Sequence, residues 1–78
     1  MEEKKIGWLG YNYENERFGI LDKMDLWADS GLHCGECFEV FINGEWIPDR
    51  IEMKRDNVWY LVENKLEGSE LEGLKVRR

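Results

Sequence analysis

Phe38-Glu39-Val40-Phe41-Ile42-Asn43-Gly44-Glu45-Trp46-Ile47 is the stretch that decides the fold. Asn-Gly supplies the pair of positive-φ residues that a two-residue type I′ turn requires, so the segment reads as a tight β-hairpin. The turn also sets the register. Ile42 faces Glu45, Phe41 faces Trp46, Val40 faces Ile47 and Glu39 faces Pro48. Because successive side chains alternate faces, Phe38, Val40, Ile42, Ile47 and Ile51 collect on the core side. Cys37, Glu39, Phe41, Trp46, Pro48 and Arg50 collect on the other. Phe41 and Trp46 therefore stand as a cross-strand aromatic pair on the outer face, worth roughly 0.2–1 kcal/mol relative to alanines.

Strand patterning continues on both sides of the hairpin. Upstream, Ile6 to Tyr13 alternates as a strand, Glu14-Asn15-Glu16 turns the chain, and Arg17 to Leu21 returns. Asp22 to Gly31 allows two readings. It makes either one helical turn, with Asp22 as cap and Gly31 as C′ residue, or a long loop folded over the sheet by Met24, Leu26 and Trp27. The loop is the favoured reading. Downstream, Val58-Trp59-Tyr60-Leu61-Val62 is a strand, and Leu71 to Val76 is the last. Short strands broken by frequent turns predict a mainly β fold, as a single domain over residues 1–78. The expected form is a small SH3-like barrel, or a strongly curved antiparallel sheet, of about five to six short strands.

Seventy-eight residues lie near the lower limit for a self-sufficient core, and four Trp, three Tyr and three Phe compensate. The net charge is −6, with no basic block. Phosphate attraction dominates non-specific nucleic-acid binding, so a nucleic-acid partner is not expected and a basic protein or peptide is. No apolar run reaches signal-peptide or membrane-spanning length. The expectation is a cytoplasmic protein without membrane contact, its thiols reduced.

His33, Cys34 and Cys37 are the one concentrated set of soft ligands. Structural zinc wants four ligands, commonly from two Cys-x-x-Cys pairs, and a second pair is missing. Packing of Cys34 as a small apolar residue is the favoured reading, with a zinc-sharing homodimer through His33, Cys34 and Cys37 as an alternative. A redox role is disfavoured, because Cys-x-x-Cys here feeds a strand rather than a helix N-terminus. No phosphate loop, nucleophile elbow or zincin motif occurs, so neither catalysis nor a cofactor is expected.

An ordered set of motifs carries a resemblance along nearly the whole chain. Asn15-Glu16-Arg17-Phe18 is followed by Gly31-Leu32-His33-Cys34-Gly35-Glu36, Glu39-Val40 and Gly44-Glu45-Trp46-Ile47. Then come Arg50-Ile51-Glu52, Trp59-Tyr60-Leu61-Val62 and Gly73-Leu74-Lys75-Val76-Arg77. This order resembles a family of uncharacterised small proteins from low-GC Gram-positive bacteria and their mobile elements, catalogued as a domain of unknown function. The resemblance implies no established activity. It implies at most a role accessory to a mobile element. The chain departs from the family pattern at Pro48-Asp49-Arg50, where a Thr usually precedes the Arg.

The aromatics carry the functional expectation. Trp and Tyr beside Arg are enriched at binding hot spots, although half-exposed aromatics also serve as cover for a hydrophobic flank. The candidate binding residues are Phe41, Trp46, Pro48 and Arg50, with Trp27 arching over from the Asp22–Gly31 loop. The expected function is a non-catalytic protein- or peptide-binding module, monomeric rather than homodimeric. A third reading is a small-molecule pocket beneath that loop, lined by Met24, Leu26 and Trp27.

Overall fold

The computed structural model describes residues 4–78, and in it Asn43 and Gly44 both adopt positive φ, 51° and 81°. The hairpin they close joins β4 (Cys37–Ile42) to β5 (Glu45–Met53). Its register is the one the turn dictates, with Phe41 opposite Trp46 and Glu39 opposite Pro48. Five further strands complete the fold: β1 (Ile6–Asn12), β2 (Arg17–Leu21), β3 (Trp27–Asp29), β6 (Trp59–Leu61) and β7 (Lys75–Arg77). A single 3₁₀ turn covers Gly68–Leu71. Among the described residues no helix is long and apolar enough to cross a membrane.

The strands form one antiparallel sheet in the order β3-β2-β1-β7-β4-β5-β6. No ladder joins β3 to β6 among the described residues, so the sheet wraps its core without closing. The curved open sheet, rather than the closed barrel, is the form this sequence takes.

Strand alternation builds the core from one face. Val76 of β7 lies between Gly7 of β1 and Val40 of β4, and is fully buried. Leu9, Phe18, Ile20, Phe38, Ile51, Trp59 and Leu61 surround it, and Leu71 fills the space under the 3₁₀ turn. Leu32 is buried from a non-strand segment, anchored by its N–H donating to the Phe18 carbonyl at 2.7 Å. Ile42 and Ile47, nearer the hairpin tip, are only partly buried.

Asp22 to Gly31 departs from both sequence readings. The Asp22 carboxylate accepts the N–H groups of Met24 at 2.8 Å and Leu26 at 3.1 Å, closing a tight turn rather than a helix. The chain then adds β3 to the edge of β2. Met24 and Leu26 are 72% and 62% exposed, so they roof no pocket. Trp27 instead lies across a bare patch of sheet where Gly10 and Gly19 face each other. A Cβ at Gly19 would sit 2.3 Å from the Asp29 carbonyl oxygen and 2.8 Å from Trp27 Cζ3. The close approach of β3 and its indole therefore demands glycine at this position.

Gly19→Ala is expected to cost about 1–3 kcal/mol through this overpacking. Urea unfolding with tryptophan emission checks it: the variant should lose stability and show a red shift that vanishes in a Trp27→Phe background. Unchanged stability would mean that β3 does not depend on the gap.

Candidate functional site

Alternation on β7, β4 and β5 sends Lys75, Arg77, Glu39, Phe41, Trp46, Pro48 and Arg50 to the outer face. The Phe41 and Trp46 rings meet at 4.9 Å between centroids, tilted by 55°. Cations from the neighbouring strand cover them. The Arg77 guanidinium lies 4.3 Å from the Trp46 centroid, and Lys75 Nζ lies 5.3 Å from that of Phe41. Arg77 is held there by Glu39, donating from Nε at 2.9 Å to one carboxylate oxygen and from Nη2 at 3.4 Å to the other. Lys4 donates to the same carboxylate. Hydrogen bonds from Arg77 and then Lys4 outweigh the opposing effect of burial and draw the Glu39 pKa from 4.5 to about 2.

Beside this aromatic ridge opens a cleft of about 530 Å³. Phe38 and Pro48 supply its apolar surface, and Lys4, Arg50, Arg77 and Arg78 its cations. Pro48 is tolerated because the outer edge of β5 has no ladder there; pairing to β6 begins only at Ile51. Arg50 projects outward and pairs with Glu52 at 2.9 Å.

Asp49 points the other way and is buried. Its Oδ1 accepts the backbone N–H groups of Arg50 at 2.7 Å and Glu63 at 2.9 Å. Its Oδ2 accepts the backbone N–H of Asn64 at 3.0 Å and the Asn64 side-chain amide at 2.6 Å. The turn after β6 is thereby tied to β5. A threonine hydroxyl at this position, with one oxygen, could not accept from all four donors at once.

Of the remaining sequence candidates only Cys37 reaches this site, at the wall of the cleft. Trp27 shares the outer face, but β2, β1 and β7 separate it from Phe41. Its indole covers Gly19 and reaches Gly10 of β1, and β7 still stands between that ring and the aromatic pair. Trp8 and Leu21 occupy the face between, and Trp8 was not among the expected site residues. His33 and Cys34 sit on a turn closed by the Glu36 N–H donating to the His33 carbonyl, Cys37 opens β4, and both thiols are free and exposed, so Cys34 does not pack as an apolar residue. Among the described residues no three His, Cys, Asp or Glu side chains gather to hold a metal. The Glu36 carboxylate is engaged elsewhere, accepting from the His33 N–H at 2.6 Å and from Arg78 at 2.7 Å. Burial opposes its ionisation, yet these donors prevail and hold its pKa below the ordinary value.

Two of the site's main components, Lys75 and Arg77, were absent from the expected set. Their signal is the alternation Lys75-Val76-Arg77, which places both cations opposite a buried valine.

The chain belongs to the family described as a domain of unknown function, DUF5348, over residues 7–78. Its structure is similar to the crystal structure of a protein from Ruminococcus gnavus, with 44% identity and a TM-score of 0.78. That similarity spans 95% of this chain and 100% of the other. No curated protein matches the chain. Membership of a domain-of-unknown-function family, as expected from the motifs, thus holds, and these comparisons bring no activity with them.

Two predictions follow from the charges. Because the folded-state pKa of Glu39 is depressed, its contribution to stability is complete above pH 4.5 and is lost as pH falls toward about 2. Acid titration of the Tm should show that loss in the native protein and a flatter profile in Glu39→Gln; parallel profiles would refute the coupling. Asp49→Ala leaves the Glu63 and Asn64 N–H groups without their acceptor and is expected to cost about 2–4 kcal/mol in urea unfolding. A change below about 0.5 kcal/mol would show that water replaces the carboxylate.

Proposed function

We propose that this DUF5348 protein is a non-catalytic interaction module that docks a protein or peptide segment on the outer face formed by Phe41, Trp46, Pro48 and Arg50. The supporting observation is the junction of an aromatic ridge with an open cleft. Phe41 remains 37% exposed, and the ridge runs directly into the cleft beside Pro48 and Arg50. Apolar and cationic side chains alternate over this surface, which is the composition of a recognition surface rather than of an acid–base pair. Free thiols and an acidic chain suit a reducing cytoplasm, which we include in the proposal.

The partner follows from local charge as well as from the sum. The whole chain, at −6, favours approach of a basic partner at long range. The cleft itself carries Lys4, Arg50, Arg77 and Arg78 against Glu39, Asp49 and Glu63. It therefore receives apolar side chains flanked by a carboxylate, while a partner's basic groups face the acidic remainder of the surface.

Selection of phage-displayed peptides on the immobilised protein tests this reading. Enriched peptides should lose at least about tenfold in affinity to Trp46→Ala and to Arg50→Glu, as expected for hot-spot residues. Peptides that bind both variants as well as the native protein would overturn it.

A further inference from the structure

A second cleft, of about 310 Å³, lies away from the outer face, where Tyr11 and Phe18 of the β1–β2 ladder approach the 3₁₀ turn. Alternation puts Tyr11 on the core-side face, opposite in sense to Phe41 and Trp46. The two surfaces are independent.

This groove is aromatic on one bank. Tyr11 stands edge-to-face with Tyr13 at 4.9 Å and with Phe18 at 5.2 Å. Tyr13 is 83% exposed, which no packing role explains. The opposite bank is polar, with Ser69 on the 3₁₀ turn and Glu72 just after it. The banks are tied together. Glu72 Oε1 accepts the Tyr11 N–H at 2.8 Å, the Gly73 N–H donates to the Leu9 carbonyl and the Leu9 N–H donates to the Leu74 carbonyl, each at 2.8 Å. The groove is therefore formed before any ligand arrives, which lowers the ordering cost of binding.

Its hydrogen-bonding groups are one-sided. The hydroxyls of Tyr11, Tyr13 and Ser69 donate to no protein group among the described residues, whereas the indole N–H of Trp59 on the floor is already given to the Glu16 carbonyl. A ligand suited to this surface offers flat apolar rings and free carbonyl acceptors. Polyproline II segments do so, because their backbone makes no internal hydrogen bonds. Glu72 is the one charged residue lining the groove, so the complementary segment carries a cation. An isolated methylated ammonium fits less well: it needs open ring faces, and those of Tyr11 are met by the neighbouring rings.

We propose that the Tyr11–Tyr13–Glu72 groove binds a proline-rich segment of a partner protein in the polyproline II conformation, with an arginine or lysine of that segment against Glu72.

The test is a titration of the full ¹⁵N-labelled chain with an acetylated oligoproline peptide ending in arginine, followed by amide chemical shifts. Saturable shifts should centre on Tyr13, Ser69 and Glu72. Tyr13→Ala, at an exposed site that cannot unfold the core, should weaken binding about tenfold. Glu72→Gln and a peptide ending in glutamate should each weaken it several-fold, and Trp46→Ala should leave it unchanged. The inference is overturned by absence of saturation at millimolar peptide, by equal binding of the glutamate peptide, by shifts that map to Phe41 and Trp46, or by competition from choline chloride. Loss of binding in Trp46→Ala overturns it as well, whereas failure of the outer-face selection leaves it standing.

Discussion

Three residues, Lys75-Val76-Arg77, hold the two halves of this molecule together. On one side β7 pairs with β1, and so with β2 and β3; on the other it pairs with β4, and so with β5 and β6. No other ladder crosses between these halves among the described residues. Val76 supplies the buried contact on the inner face, and backbone bonds flank it on both edges. A strand so short has little stability of its own. It holds because the core on one side and the aromatic pair on the other fix it in place, so fold and surface depend on the same three residues.

The outer faces of those residues decide how Phe41 and Trp46 meet solvent. Arg77 and Lys75 shield the rings, and Glu39 keeps Arg77 in position. Each cation–π contact at an exposed site is worth roughly 0.5–1 kcal/mol, less than a typical hot-spot contribution to binding. Shielding of that strength keeps an apolar ridge soluble without closing it permanently. A partner that offers an equivalent carboxylate or ring displaces Lys75 more readily than Arg77, because Arg77 also carries a two-pronged bond to Glu39 and Lys75 forms no ion pair among the described residues.

Local rules made the hairpin legible: Asn43-Gly44 fixes the turn, and alternation carries the register outward to Phe41, Trp46, Pro48 and Arg50. What the sequence hid depends on distant contacts. β3 is three residues long and exists because Gly10 and Gly19, remote in the chain, clear a floor for Trp27. Asp49 resembles any strand carboxylate until the turn at Glu63 and Asn64 closes over it. Proximity in sequence misled in the opposite direction. His33, Cys34 and Cys37 look like a site when written in a line, but the turn at Gly35 leaves them displayed outward while Leu32 alone enters the core.

Charge shows the same contrast between sum and arrangement. A total of −6 suggests an acidic body that avoids anions. Yet Lys4, Arg50, Arg77 and Arg78 gather around one cleft, each paired with a carboxylate, and of the three acids lining it two are committed: Glu39 to Arg77 and Lys4, Asp49 to backbone and amide donors. Glu72 lies elsewhere, at the tyrosine groove, where one of its oxygens accepts the Tyr11 N–H. Long-range attraction scales with the sum, whereas selection at contact depends on desolvated neighbours within a few ångströms. A partner can therefore be drawn in by its basic groups and still present an apolar, carboxylate-bearing segment to the outer cleft.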